Sequence, residues 1–421
     1  MSLNFGYIHT CEHSRGQGNE TMISSAVKNT DLEGPIISAN IRRTALLALA
    51  LGGFAIGLTE FVIMGILPEV ATALGIDIPT AGHFISAYAL GVVVGGPIFT
   101  ALGSRYPSHR VLVALMVWFT VFNSLSALTF SYHSLLLSRF LAGLPHGAFF
   151  GIGAVVAGRI AEKGKAAQAA ATMLSGLTVA NVLGVPAGTY LGQALGWKTS
   201  FMLVGVAGAV AVAALQRWMP ILPAANRGGL FSDLVIFKRL EFWLALVLTV
   251  IGTGGFFCWY SYIAPLVTQV GKFPQGLVVP MMAVAGLGMT VGIGIGAKIA
   301  DRYSPLKATI ALLPVMAASL MLLTQVAQFP ILLVVMTFWI GAVAFAMATP
   351  IQFTMIHASH GAEMMGSAIN QSAFNMGNAL GAYLGGLPIA FGYGIASADV
   401  VGAVMAMVGV AIAGAMLAYQ R

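Results

Sequence analysis

Two charges stand inside long apolar runs of this chain: Glu60 in GFAIGLTEFVIMGIL and Arg139 in LLLSRFLAGLPHGAFF. Charge within such a run is costly, so each is a functional hypothesis by default. Burial disfavours an ionised carboxylate, and a nearby cation favours it. An acid balanced between the two effects takes up a proton in one arrangement and releases it in another. Glu60 is therefore read as a proton-exchanging acid and Arg139 as its partner. Two other readings stay open: a permanent ion pair that only locks helix register, and direct contact with a bound solute. His146 follows Arg139 by seven positions, which puts both on one helix face. An imidazole suits proton exchange near neutral pH; the alternative is a plain hydrogen bond to a neighbouring helix.

A second set of residues could bind rather than titrate. Asn370, Gln371, Asn375 and Asn378 crowd one apolar stretch, and Gln371, Asn375 and Asn378 fall at helical spacing as a polar stripe. With Gln352, such a stripe would hydrogen-bond a hydroxyl-rich solute, or else serve as glue between helices. Phe256, Phe257, Trp259, Tyr260 and Tyr262 form an aromatic cluster. An interfacial belt is its ordinary role; stacking of Tyr260 or Tyr262 on a ligand is the other. Asn181, Gly184, Pro186 and Gly188 combine small residues with a proline, which favours close packing and a helix bend. His357 and His360 have H-x-x-H spacing but are read in a loop without further ligands, so no metal site is assigned. No G-x-x-x-x-G-K-[ST] is present, which argues against ATP as an energy source. No cofactor and no enzymatic cluster of nucleophile or metal ligands is read.

These residues must be positioned by membrane helices. The chain has 421 residues, 58% hydrophobic and 8% charged, against about 25% charged in soluble domains. Only a bilayer accommodates that composition. Residues 1–43 read as a polar, disordered cytoplasmic tail with no apolar signal-peptide core; Met22 is an alternative start. Twelve apolar spans follow, at about 44–68, 80–102, 111–130, 134–158, 166–192, 199–218, 241–264, 277–298, 307–327, 330–353, 364–390 and 397–419. Residues 219–240 form a cytoplasmic linker between a first bundle, 44–218, and a second, 241–421. Of the 20 Lys and Arg, Arg139 lies within a span, and only Lys198 and Lys272 fall on one side of the spans. The others gather on the opposite side, which the positive-inside rule makes cytoplasmic, with both termini there. Scattered over short loops, the net charge of +7 does not point to nucleic acid. Cys11 and Cys258 do not suggest a disulfide framework.

Residues 88–115 and 285–312 are two copies of one pattern. Without a gap they align Gly91 with Gly288, Gly95 with Gly292, Arg105 with Arg302, Tyr106 with Tyr303, and Arg110 with Lys307. The same offset aligns Asn181, Gly184 and Gly188 with Asn378, Gly381 and Gly385. One offset across separate motifs indicates duplication, and charge counting makes the halves parallel repeats. The chemistry is not duplicated: Ser104 answers Asp301, and Phe257 and Met336 answer Glu60 and Arg139. On the inner face, Arg105, Arg110, Asp301, Arg302 and Lys307 are read as latches between the halves, or as plain topology signals.

With twelve spans, paired R-Y-x-x-x-R/K loops and GVPAG in the fifth span, the chain resembles the major facilitator superfamily, and most closely its drug:proton antiporter branch. LTEFVIMGILPEVA, AGHFISAYALGVVVGGP, RFLAGLPHGAFFGIGAVV and GLTVANVLGVPAGTYL are similar to the arabinose-induced, sugar-efflux-like transporters. The family's loop motif G-x-x-x-D-R-x-G-R-R/K is altered here: Thr100 and Ser104 replace the glycine and the acid in the first copy, and Ala297 replaces the glycine in the second. The resemblance implies an all-α fold of twelve transmembrane helices in two six-helix halves. It also implies that the first and fourth spans line a central cavity, where Glu60 and Arg139 could meet, and that the bend in span five seals the outer side. The expectation is a monomeric inner-membrane protein that exchanges protons for a small sugar-like or drug-like solute. Proton-linked uptake or facilitated diffusion is the runner-up, and a receptor or scaffold that moves no solute is the contrasting class.

Overall fold

The computed structural model describes residues 38–103, 105–162, 164–222, 233–360 and 363–420. The tail reading therefore falls outside the described residues up to 37, as do Ser104 and positions 223–232 of the linker. Helices account for the architecture, and no strand occurs among the described residues. The first half holds α1 (Ala39–Gly65), α2 (Leu67–Leu74), α3 (Ile78–Gly103), α4 (Ser108–Ala127), α5 (Tyr132–Ile160), α6 (Ala166–Val179), α7 (Val185–Leu195) and α8 (Lys198–Trp218). The second holds α9 (Leu240–Tyr260), α10 (Ile263–Pro265), α11 (Val278–Arg302), α12 (Pro305–Val326), α13 (Pro330–Ala358), α14 (Glu363–Ala390) and α15 (Ser397–Tyr419). Among the described residues, 11 helices are long and apolar enough to cross a membrane. The remaining long helix, α14, carries the polar stripe.

Three local features depart from the expected spans. First, α1 begins at Ala39, so Arg42 and Arg43 belong to the helix and not to the tail. Arg42 Nε donates to Ile160 O at 2.9 Å, and its guanidinium pairs with Glu162. It thus serves a carbonyl in the last turn of α5, where intrahelical partners run out. Second, α6 and α7 form one span through a π-helical turn, Ala180–Gly184. Pro186 supplies no N–H to the preceding turn, and the wider turn absorbs that loss without ending the helix. The turn falls within the segment where the sequence predicts a bend. Third, the seventh span breaks at Ser261–Tyr262 and resumes as α10 and a π-helical turn, Leu266–Val270.

The duplication is visible in the packing. In the first half α3 packs along α5, and in the second α11 packs along α13. Equivalent glycines make both seams. A Cβ on Gly91 would lie 2.1 Å from Phe140 O, and one on Gly288 would lie 2.2 Å from Phe338 O. At Gly95 the distance would be 2.1 Å to Leu144 O, and at Gly292 2.2 Å to Ala342 O. Only glycine lets the backbones approach this closely, the small-residue packing that membrane helices use in place of hydrophobic burial. Leu90, Val94, Leu287 and Val291, beside these glycines, are exposed, as suits side chains facing lipid.

Between the halves, α3 lies along α14, while α11 packs against α7 and the π-helical turn and only brushes α6. Ser86 Oγ donates to Ala379 O at 2.9 Å across the α3–α14 seam, and within the second half Tyr262 Oη donates to Ala382 O at 2.6 Å. The α11–span-five contact thus lies towards the end of the molecule that carries Glu69. At that contact the halves are closed on each other, and towards the end that carries Arg105 the approach of α11 to span five falls away.

Candidate functional site

Glu60, Arg139 and His146 are all buried, with 3%, 0% and 0% of their surfaces exposed. Arg139, on α5, reaches across to α1 and α4. Its Nη1 donates to Thr59 Oγ1 at 2.8 Å and lies 3.5 Å from Asn123 Oδ1; its Nη2 donates to Thr59 O at 3.1 Å. Thr59 Oγ1 donates in turn to Asn123 Oδ1 at 2.5 Å. The guanidinium also lies over two rings, 4.4 Å from the Tyr88 centroid and 5.3 Å from that of Phe201. Neutral acceptors and π-faces therefore hold this cation.

Glu60 and Arg139 interact electrostatically but form no ion pair within 4 Å. The expected direct meeting of the two charges is thereby corrected: Thr59 and Asn123 occupy the forks of the guanidinium. Glu60 Oε1 is buried without a hydrogen-bond partner. From the second half, Tyr260 comes within electrostatic reach of Glu60, and its ring meets that of Phe61 edge-on at 5.7 Å. The Tyr260 hydroxyl is also buried and unpartnered. Tyr88 links the cation to the imidazole: its ring underlies Arg139, and its hydroxyl lies 3.1 Å from His146 Nδ1. His146 Nε2 has no partner.

The remaining candidates divide. Asn370 Oδ1 accepts from Thr249 Oγ1 at 3.3 Å, a link between α14 and α9. Asn375 Nδ2 donates to Gln371 O within its own helix, while its Oδ1 and both polar atoms of Asn378 are buried without partners. Gln371 is half-buried and Gln352 is exposed. Phe256, Phe257, Trp259, Tyr260 and Tyr262 are all buried, so the interfacial-belt reading is corrected: α9 turns them inward, where Phe256 stacks on Tyr260 at 5.1 Å. Tyr262 is a wedge between α3 and α14, because a Cβ on Gly82 or on Gly386 would lie 2.4 Å from its hydroxyl. At the π-helical turn, Asn181 Oδ1 is buried and unpartnered, and Gly184 and Gly188 admit Phe54, Leu58 and Val62 of α1. Arg105, Arg110, Arg302 and Lys307 are exposed, and no ion pair among the described residues joins them to the opposite half. The side chain of Asp301 lies outside the described residues. His357 belongs to the last turn of α13, not to a loop, and its ring lies 6.5 Å from that of His360.

Sequence reading missed Thr59, Tyr88 and Asn123. Asn123 had a signal, since a primary amide within an apolar span is as anomalous as those of α14. It also missed Asp399, which is 2% exposed with an unpartnered Oδ2. Asp399 lies in the first turn of α15, where an acid passes as a helix-start residue.

The fold and the site define a multi-pass helical membrane protein whose buried polar centre joins two repeated halves. Residues 49–386 match the profile of the Major Facilitator Superfamily. The chain is 40% identical over 363 residues to the inner membrane transport protein YdhP of Escherichia coli strain K12, covering 86% of this chain and 92% of that one. It is 27% identical over 365 residues to a protein of Mannheimia succiniciproducens described as a probable sugar efflux transporter, covering 87% and 91%. A solved D-xylose–proton symporter shares the fold with a TM-score of 0.73 at 15% identity, covering 89% of this chain and 97% of that one. The chain belongs to the Major Facilitator Superfamily and is a secondary transmembrane transporter.

Proposed function

We propose that the chain exports a small sugar-like or drug-like solute in exchange for protons, by alternating access between its two halves, 44–218 and 241–421. One observation carries the coupling: Glu60 is a buried carboxylate close to a cation that is already held by other groups. A permanent lock would spend both charges on each other. Here Arg139 is anchored without Glu60, so the acid can gain or lose a proton without dismantling its partner. Tyr88 and His146 extend the polar path deeper from Arg139, and Tyr260 brings the second half to the acid. Asn375 and Asn378 offer buried, unpaired polar atoms to a solute. The name of the sugar efflux relative supports the outward direction.

The charge asymmetry supports an orientation with the Glu69 end outside, the Arg105 end cytoplasmic and both termini inside. We place the protein in the inner membrane as a monomer. In proteoliposomes, solute flux driven by an imposed proton gradient tests the reading. Glu60→Gln is expected to retain solute exchange but lose its response to the gradient. Gradient-driven flux unchanged in that variant would overturn the assignment.

A further inference from the structure

At the Glu69 end a cavity of about 590 Å³ lies between the halves. The first half lines it with Glu69 and Thr72 of α2 and Gln193 of α7; the second contributes Thr268 and Gln275. Gln275 Nε2 donates to Glu69 Oε1 at 2.6 Å, a side-chain bond that crosses from one half to the other. Glu69 Oε2 and Gln193 Nε2 are buried without partners. The break between α1 and α2 at Ile66 allows this placement, since α2 is a separate helix and carries Glu69 in its first turn.

We propose that Glu69 is the proton-operated latch of the outer gate, joining the two halves across this cavity when protonated and releasing them when ionised. The proposal rests on the orientation and alternating access given above. Closure takes the carboxyl out of water and sets it against Gln275 and Gln193, two neutral amides with no cation to compensate a charge. The acid form keeps an acceptor for Gln275 and gains a hydroxyl; with its amide turned over, Gln193 would accept from it. The ionised form is better served by water, which reaches it when the gate opens.

The titration runs the same way. Burial holds the Glu69 carboxyl above its ordinary range, outweighing the hydrogen bond from Gln275 and the weaker polar approaches of its own backbone N–H and of the Gln193 amide, all of which act against it. The closed state therefore binds the proton more tightly than a solvated open state. By linkage, closure gains as pH falls and is lost as pH rises. Apart from Glu69, no charged or titratable group of the surrounding elements lines the cavity, Asp77, His83, Tyr88, Tyr190, Lys198, Tyr262 and Lys272 included. His83 bonds Tyr132 and Lys198 lies over Phe130, so both are engaged elsewhere.

Spin-label distances between Ala73→Cys and Gly276→Cys test the latch in the full chain in lipid nanodiscs. Both sites are exposed, and a side chain at 276 meets no neighbour within 4 Å. Cys11→Ser removes one native thiol, and Cys258 is buried. All samples carry Glu60→Gln, so that a response at the central acid is excluded and the latch is judged apart from the coupling reading. Between about pH 8 and about pH 5, a range that brackets a raised carboxylate, the short-distance population is expected to grow. Glu69→Gln is expected to stay short throughout. Gln275→Ala is expected to lose short population at every pH, because the side-chain bond across the cavity is gone. No pH response in the parent, or the same response in Glu69→Gln, overturns the proposal. A Gln275→Ala sample indistinguishable from the parent also overturns it.

Discussion

Arg139 shows how a membrane interior can hold a cation without an anion in contact. Thr59 supplies a hydroxyl and a backbone carbonyl, Asn123 an amide oxygen, and Tyr88 and Phe201 their faces. Asn123 is positioned by its own helix, donating Nδ2 to Phe119 O at 2.8 Å. In Asn123→Leu, Thr59 loses the acceptor for its hydroxyl, and Arg139 keeps one fewer oxygen. A loss of about 1–3 kcal/mol of stability is expected, the cost of leaving a buried polar group unsatisfied. Thermal unfolding in detergent, compared with exposed Gln352→Leu, measures it; equal melting of the two variants would contradict the anchoring role.

At the scale of elements, the glycine seam between α3 and α5 is a tight constraint on the site. It sets the height of Tyr88 against Arg139 and His146, because a Cβ on Gly143 would lie 2.1 Å from Tyr88 O. Gly95→Val is expected to push the two backbones apart and to destabilise by about 1–3 kcal/mol through overpacking. Gly414→Val, at a position with open space around its Cβ, should melt like the parent. How much of this was legible in the sequence follows from what each signal is made of. Spans announce themselves because some 20 apolar residues in a row have few other uses. Glu60, Arg139 and His146 stand out because they violate that pattern. The break at Ser261–Tyr262 has a signal that sequence reading missed: Pro265 offers no N–H to the Ser261 carbonyl four residues before it, which is where a proline interrupts a helix. Thr59 and Tyr88 are ordinary membrane residues until the fold places Arg139 beside them. The direction in which the α9 aromatics face is set by packing against α14 and α15, which the sequence of α9 alone does not carry.

For the whole molecule, the contact between α11 and span five decides which end is closed. A Cβ on Gly286 would lie 2.3 Å from Asn181 O, in the opposite half. Gly286→Val is thus expected to hold the Glu69 end apart while leaving each half intact. The labelled pair at 73 and 276 should report longer distances, flux should fall severalfold or more, and the melting temperature should change little. Parental distances in this variant would show that the contact does not govern closure.

The paired seams also bear on how such a molecule can move. Side chains that interdigitate can switch rotamers and let helices slide, but backbones in contact have nothing to rearrange. The α3–α5 and α11–α13 pairs should therefore behave as rigid planks, one in each half. Deformation during the transport cycle is then left to the parts built with slack: the π-helical turn of span five, the break after Tyr260 and the short helix α2. Two of the three are the same place in the two copies: the repeat offset that pairs Gly91 with Gly288 also pairs Ile66 and Pro68, at the start of α2, with Ile263 and Pro265, at the break after Tyr260, so the ancestral repeat that stiffens the frame also supplies a matched pair of hinges.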